Sequence, residues 1–151
     1  KSSDHAPVWI ELAGAKKADI YIAAAAVGDS RPRTVSPRPL KKQAGADLSL
    51  QLRANPDILA ALSAQAAHPF LVGFAAETHD VAHYAQGKLK RKGLDMIAAN
   101  QVGEGLGFET ADNAINLYWE GGMLELPRAG KAELAHQLLA CVAERYRAAR
   151  G

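Results

Sequence analysis

The hydrophobic positions of this 151-residue chain fall into short apolar runs joined by more polar segments. Three runs are apolar throughout, at residues 20–26, 70–75 and 96–99. Runs of this length and composition predict strands that are buried on both faces of a sheet. Residues 48–53 instead alternate apolar and polar side chains, which predicts a strand at a sheet edge or in a small outlying ribbon.

Helical segments lie between these runs. Asn55-Pro56-Asp57 predicts a helix start, because Asn caps helices, Pro fits the first helical position and Asp favours the positive end of the helix dipole. That helix is expected to end near Ala67, ahead of Pro69. A second helix is expected to end at Lys92, with Gly93 as its C-cap.

The last third of the chain predicts a hairpin followed by a helix. Ile115–Trp119 alternates apolar and polar residues, and the turn Glu120-Gly121-Gly122 leads into Met123–Leu126. This is the pattern of two antiparallel strands. Lys131–Arg147 has the amphipathic spacing of a final helix.

Residues 28–43 predict a long loop, because Pro32, Pro37 and Pro39 fit neither a helix interior nor a central strand. Around it, apolar strands alternate with helices, which favours a parallel sheet covered on both faces. The predicted fold is therefore α/β, a Rossmann-like three-layer sandwich with a mostly parallel sheet and a small antiparallel ribbon. We expect one domain spanning residues 1–151.

Composition narrows the class of protein. With 48% apolar and 23% charged residues, the chain has the balance of a soluble globular domain. A single cysteine, Cys141, excludes an internal disulfide and favours an intracellular site. A net charge of +2 lacks the concentrated positive field of a nucleic-acid binder, and no apolar run is long enough to span a bilayer. We expect a cytoplasmic protein with neither a nucleic-acid nor a membrane partner.

Candidate chemistry lies just after the apolar strands, where parallel sheets bind ligands. Asp29 is a candidate ligand for a Mg²⁺ held with phosphates, although a solvated loop carboxylate also explains it. Lys88 and Lys92 are four residues apart on one helix face, so they suit a polyphosphate as well as a simple solvated face. Asn55–Ile58 is both a capped helix start and an anion-binding N-terminus. Phe74 either stacks on a base or belongs to the core.

Two other features carry no chemistry. Gly103, Gly105 and Gly107 are followed by no predicted helix, and their spacing differs from the dinucleotide-binding fingerprint. His136 and Cys141 do not share a helix face well enough to form a nucleophile and its base. Cys141 is predicted to be a core residue.

Seven segments stand in a characteristic order. They are A-A-A-V-G-D at 24–29, L-K-K at 40–42, N-P-D-I at 55–58, V-G-F-A-A-E-T at 72–78, the lysines at 88 and 92, D-M-I-A-A-N at 95–100, and Gly107-Phe108 with Asp112 and Asn113. In order and spacing they resemble the phosphopantothenoylcysteine synthetase domain of bacterial coenzyme A biosynthesis, over nearly the whole chain. The combination of N-P-D-I with G-F-A-A-E-T is the specific part of the resemblance.

The resemblance implies an enzyme that joins 4′-phosphopantothenate to L-cysteine. Bacterial members activate the carboxylate with CTP and Mg²⁺ as an acyl-cytidylate, and the cysteine amine then displaces CMP. Members form homodimers, for which residues 48–53 and 115–126 are plausible interface ribbons because an unpaired strand edge is a ready partner site. In many bacteria a flavin-dependent decarboxylase is fused to this domain, and FMN would belong to that part.

The resemblance also assigns residues to roles. Asp29 would lie beside the triphosphate and its metal ion, and Asp29, Lys41 and Lys42 are the candidates for catalysis. The nucleotide-binding residues would be Ala23, Ala24, Ala25, Asp29, Pro56, Asp57, Ile58, Leu59, Phe74, Lys88 and Lys92.

The chain departs from the family pattern at two places. Pro39 occupies the position of a family lysine that is expected to contact the nucleotide, and arginine at position 38 is not an equivalent replacement. The family's N-terminal portion precedes the point where this chain begins. These departures leave open a nucleotide-binding module without turnover. The predicted fold alone leaves open a Rossmann-like oxidoreductase or flavin-binding domain.

Overall fold

The fold is built on a five-stranded sheet with a separate two-stranded ribbon. The computed structural model describes residues 18–25, 27–35, 49–102 and 112–151. Within them the strands are β1 (Ile20–Ile22), β2 (Ser30–Pro32), β3 (Leu52–Ala54), β4 (Phe70–Glu77), β5 (Met96–Gln101), β6 (Asp112–Trp119) and β7 (Gly122–Gly130). The helices are α1 (Ile58–Ser63), α2 (Val81–Lys92) and α3 (Lys131–Arg150).

The sheet is mostly parallel, as predicted. Its order is β1-β4-β5-β6-β7, with β1, β4 and β5 parallel to one another. β6 is antiparallel to β5 and to β7, so β7 runs in the same direction as β1, β4 and β5. β2 and β3 pair antiparallel as the ribbon. The predicted hairpin is confirmed as β6 and β7, with Gly121 in the left-handed conformation at φ +77°.

Helices cover both faces of the sheet, which confirms the three-layer prediction. Successive residues of β4 point to opposite faces. Leu71 belongs to the cluster under α1 and α2, together with Leu62 and Leu89. Val72 belongs to the cluster under α3, where Cys141 is buried as predicted. None of the helices in the described ranges combines the length and hydrophobicity that a bilayer crossing requires.

The first strand is shorter than its apolar run predicts. β1 ends at Ile22, and Ala24 and Ala25 are exposed rather than buried in a strand. Its register pairs Ile20–Ile22 with residues 70–72 of β4, after which the chain leaves the sheet. Alanine side chains have little surface to bury, so the burial of an alanine run adds little stability.

The predicted loop over residues 28–43 contains β2. Pro32 is tolerated there because the ribbon is narrow and Pro lies at its end, opposite Leu52. The ribbon strand β3 begins at Leu52, later than the predicted 48, and Leu52 is 59% exposed. Several sequence features lie outside the described residues: Pro39, Lys41 and Lys42, the glycines at 103–107, and position 48.

The helices differ from prediction mainly at their ends. α1 is capped by Asp57, whose side chain accepts a hydrogen bond from the Ala60 amide (3.1 Å), and not by Asn55. α1 ends at Ser63 instead of near Ala67. α2 ends at Lys92, and Gly93 is its C-cap at φ +60°, as predicted. α3 continues past the predicted end to Arg150.

Candidate nucleotide cleft

A cleft with a volume of about 530 Å³ opens where the chain leaves β1. The β1–β4 pairing ends at Ile22, next to a hydrogen bond from the Ala23 amide to the Val72 carbonyl (2.9 Å). The next residues of β4, Gly73 and Phe74, are not paired with β1 and line the cleft instead. The cleft therefore lies at the carboxyl end of a parallel strand, where this class of fold places its ligands.

All eleven described residues that the resemblance assigned to nucleotide binding line this one cleft. They are Ala23, Ala24, Ala25, Asp29, Pro56, Asp57, Ile58, Leu59, Phe74, Lys88 and Lys92. They come from the segment after β1, the start of α1, the middle of β4 and the last two turns of α2. The structure brings these distant segments together, while the two remaining candidates, Lys41 and Lys42, lie outside the described residues.

Lys92 and Asp57 form an ion pair at the side of the cleft. The Lys92 Nζ lies 3.0 Å from the Asp57 Oδ2, while the other carboxylate oxygen caps α1. Burial alone raises the pKa of Asp57, but the Ala60 amide and the charge of Lys92 outweigh it and hold that pKa below its ordinary value. Asp57 is therefore ionised at neutral pH and neutralises the lysine.

Lys88 is paired in the same way with a carboxylate on β4. Its Nζ lies 2.6 Å from the Glu77 Oε1. Glu77 is the last residue of β4, so the contact joins the sheet to α2. Because Lys88 and Lys92 both have carboxylate partners, neither is the simple solvated lysine of an exposed helix face.

Phe74 is not a core residue. It is 38% exposed on β4, although its neighbours Gly73 and Ala75 are buried. It lies within the strand rather than near its end, because β4 extends to Glu77. An exposed aromatic ring on the cleft wall is the geometry that stacking on a base requires.

Sequence reasoning missed several residues that line the cleft. They are Tyr21, Ile22, Val27, Gly28, Gly73, Arg91, Leu94 and Ile97. Asn55, predicted as part of an anion-binding helix start, lines the cleft as well. Position 73 requires a residue without a Cβ, because a Cβ there would lie 2.7 Å from the Leu94 Cδ1. No periodicity identifies such a position, but the small residue in the middle of an apolar strand was a usable signal of close approach.

The described side chains of this cleft include few candidate metal ligands. Within the described residues, no three His, Cys, Asp or Glu side chains are arranged to hold a metal ion. Asp29 is exposed and lines the cleft, as does Asp57. A single exposed carboxylate fits a Mg²⁺ that takes its other ligands from water and phosphates.

Comparison with known proteins places the chain in a family. Residues 10–146 match the DNA/pantothenate metabolism flavoprotein C-terminal domain. The chain is 47% identical over 131 residues to the Coenzyme A biosynthesis bifunctional protein CoaBC of Vibrio vulnificus, covering 85% of this chain and 33% of that protein. It is 43% identical over 138 residues to the CoaBC protein of Escherichia coli, covering 89% and 34%. The chain thus spans about a third of the length of these relatives.

Solved structures agree with this assignment. The C-terminal domain of a CoaBC protein superposes with a TM-score of 0.66 at 31% identity, covering 87% of this chain and 56% of that one. A DNA/pantothenate metabolism flavoprotein from Streptococcus pneumoniae gives a TM-score of 0.64 at 18% identity, which supports the fold alone; it covers 87% of this chain and 63% of that one. The family resemblance seen in the motifs is confirmed, and the chain belongs to the family of the DNA/pantothenate metabolism flavoprotein C-terminal domain.

Proposed function

We propose that this protein acts in coenzyme A biosynthesis as a CTP-dependent ligase that joins 4′-phosphopantothenate to L-cysteine. The observation that carries the proposal is the convergence on one cleft of eleven residues, from four segments, that the resemblance assigns to nucleotide binding. Relatives named for coenzyme A biosynthesis, 43% to 47% identical to the chain, support the pathway.

The proposed reaction has two steps. The phosphopantothenate carboxylate attacks the α-phosphorus of CTP, which forms an acyl-cytidylate and releases pyrophosphate. The cysteine amine then attacks the acyl carbon, loses a proton, and expels CMP. Activation is needed because a free carboxylate is a poor electrophile, and the protein contributes chiefly by positioning the reactants and neutralising phosphate charge.

The two lysines of α2 supply the positive charge in this proposal. Lys88 and Lys92 extend from successive turns of one helix, and both line the cleft. A bound triphosphate competes with Glu77 and Asp57 for these lysines. Asp29 would hold the Mg²⁺, which offsets phosphate charge when bound.

The base and ribose would lie along the part of the cleft that Phe74 and the start of α1 line. Phe74 offers an exposed ring for the cytosine, and Pro56–Leu59 bring the first turn of α1 to the same cleft. Backbone amides at a helix start can contact an anion or a base edge without a specialised side chain. The choice of CTP over ATP is part of the proposal and rests on the family.

Calorimetric titration with CTP and with ATP, each with Mg²⁺, tests nucleotide binding, after circular dichroism has shown that the chain is folded. Selective CTP binding is the expected result. A folded chain that binds neither nucleotide would overturn the proposal. The matching assay supplies phosphopantothenate and cysteine, and follows pyrophosphate release and the product by mass spectrometry.

The same assays separate the remaining functions. CTP binding without product would favour a nucleotide-binding module that lacks turnover, as the Pro39 departure suggests. A flavin absorbance band in the purified chain would favour a flavin-binding domain instead. A homodimer, a cytoplasmic location and an associated FMN-dependent decarboxylase remain predictions, the last supported by the bifunctional names of the relatives.

A further inference from the structure

The loop that carries Asp29 is tied to the start of α1 by one residue, Asn55. The Asn55 side-chain amide donates a hydrogen bond to the Gly28 carbonyl (2.5 Å). Its backbone amide donates another to the Asp29 carbonyl (2.8 Å). Its side-chain oxygen accepts a third from the Arg31 guanidinium (2.6 Å). Asn55 therefore contacts three of the four residues from 28 to 31.

Arg31 determines which way the Asn55 amide points. A guanidinium group only donates hydrogen bonds, so the amide oxygen must face Arg31 and the NH₂ group must face the Gly28 carbonyl. Arg31 is itself placed by the ribbon, in which it pairs with Arg53 of β3. The ribbon, the Asp29 loop and the start of α1 thus meet at one side chain.

The loop has little apolar packing to hold it in place. Gly28 and Asp29 are exposed, and Val27 is 47% exposed. Segments with few buried apolar contacts open easily unless polar contacts fix them. Asn55 also precedes Pro56 and Asp57 directly, so a bond from Asn55 to the loop sets where Asp29 lies relative to the Asp57–Lys92 pair.

We infer that Asn55 is a positioning residue that holds Asp29 at the cleft for binding of the metal–nucleotide complex. It acts through Asp29 and need not touch the nucleotide. The inference rests on the proposed function for the identity of the ligand. The N-P-D-I segment then has two roles: Asn55 holds the Asp29 loop by hydrogen bonds, and Asp57 caps α1.

The test is the isosteric change Asn55→Asp. It keeps the acceptor for Arg31 but replaces the donor to Gly28 with an oxygen that repels the carbonyl. We expect the Kd for CTP with Mg²⁺ to rise roughly tenfold, as expected when a paired carbonyl loses its donor. Gln65→Glu is the matched control, because it also replaces an amide that donates to a backbone carbonyl, that of Ala61, outside the cleft. It should bind as wild type.

A double-mutant cycle with Asp29→Asn separates positioning from general destabilisation. If Asn55 acts through Asp29, the double variant binds no more weakly than Asp29→Asn alone. Multiplying effects would overturn the inference, and so would an Asp29→Asn variant that binds as wild type while Asn55→Asp binds weakly.

A readout without nucleotide keeps the inference separate from the proposed function. Asn55→Asp should speed amide hydrogen exchange in residues 27–33, while Gln65→Glu should leave it unchanged. Unchanged exchange in Asn55→Asp overturns the inference. A wild-type chain that binds no CTP overturns the proposed function, and the exchange result then decides the role of Asn55 in the loop alone.

Discussion

The two faces of the sheet are stabilised in different ways. Under α3 the side chains are large and apolar, with Val72, Met96 and Leu117 fully buried against the helix. Cys141 lies among them, and burial is the main reason its pKa is raised, with the nearby Glu144 adding to the effect, so the thiol stays neutral. The opposite face also has an apolar cluster, but it opens into a cleft lined by the Asp57–Lys92 ion pair.

This difference separates stability from binding. Burial of apolar surface contributes most of a domain's stability and does not depend on a ligand. Partly exposed ion pairs contribute little to stability, and their side chains remain accessible to a ligand. We therefore expect substitutions under α3 to change unfolding and substitutions in the cleft to change nucleotide affinity.

The largest expected effect is on the α3 face. Leu134→Ala removes a side chain that is 2% exposed, and should lower the free energy of unfolding by about 2–5 kcal/mol. Leu139→Ala on the same helix is the control, because Leu139 is 52% exposed and should change it by no more than about 0.5 kcal/mol. Urea unfolding measures both. Equal effects at the two sites would contradict the comparison.

Gly73→Ala tests the boundary between core and cleft. The added Cβ would lie 2.7 Å from the Leu94 Cδ1 on the cleft side of β4, and should cost about 1–3 kcal/mol of unfolding free energy. Gly87→Ala is the control, since its Cβ would meet nothing within 4 Å on α2 and should stabilise the protein by up to about 1 kcal/mol. Thermal unfolding distinguishes the expected destabilisation by Gly73→Ala from the expected stabilisation by Gly87→Ala. If Gly73→Ala leaves the stability unchanged, Leu94 moves aside.

Lys92→Gln should change binding more than stability. Under the proposed function it removes a cation that faces the triphosphate, and the Kd for CTP should rise about tenfold. The free energy of unfolding should change by less than about 1 kcal/mol, because the Asp57 pair is partly exposed. Lys90→Gln removes the same charge from the same turn of α2 but outside the cleft lining, and should bind CTP as wild type. Calorimetry on both variants provides the comparison.

The smallest expected effect is the part of the pH dependence of protein stability that Asp57 causes. Its pKa is lower in the folded protein than its ordinary value of 3.8, so the folded state binds that proton less tightly than the unfolded state does. The contribution to stability is complete above 3.8 and is lost as the pH falls through the folded pKa. The free energy of unfolding, measured with urea from about pH 5 to about pH 2, should fall less steeply for Asp57→Asn than for wild type. If the two proteins lose stability with equal slopes, Asp57 does not contribute to the pH dependence of stability.

Patterns along the chain predicted most elements but not all of their ends. α2 ends at Lys92 and Gly93 caps it as expected, because glycine in a left-handed C-cap is a local preference. The run at 20–26 predicted a longer β1, because apolar character does not reveal where the neighbouring strand stops pairing. The segment 28–43 was predicted as a loop although it contains β2. The local pattern does not reveal its partner strand β3, which lies 20 residues further along the chain.

The sequence by itself determined the fold class and the segments that meet at the cleft, because hydrophobic periodicity and short motifs are local properties of the chain. Only the tertiary structure decided what the polar side chains contact. Asn55, predicted as a helix cap, instead holds the Asp29 loop, and Lys92 and Lys88 find Asp57 and Glu77. These partners are 11 to 35 residues apart, and only the packing of α1 and α2 on the sheet brings them within hydrogen-bonding distance.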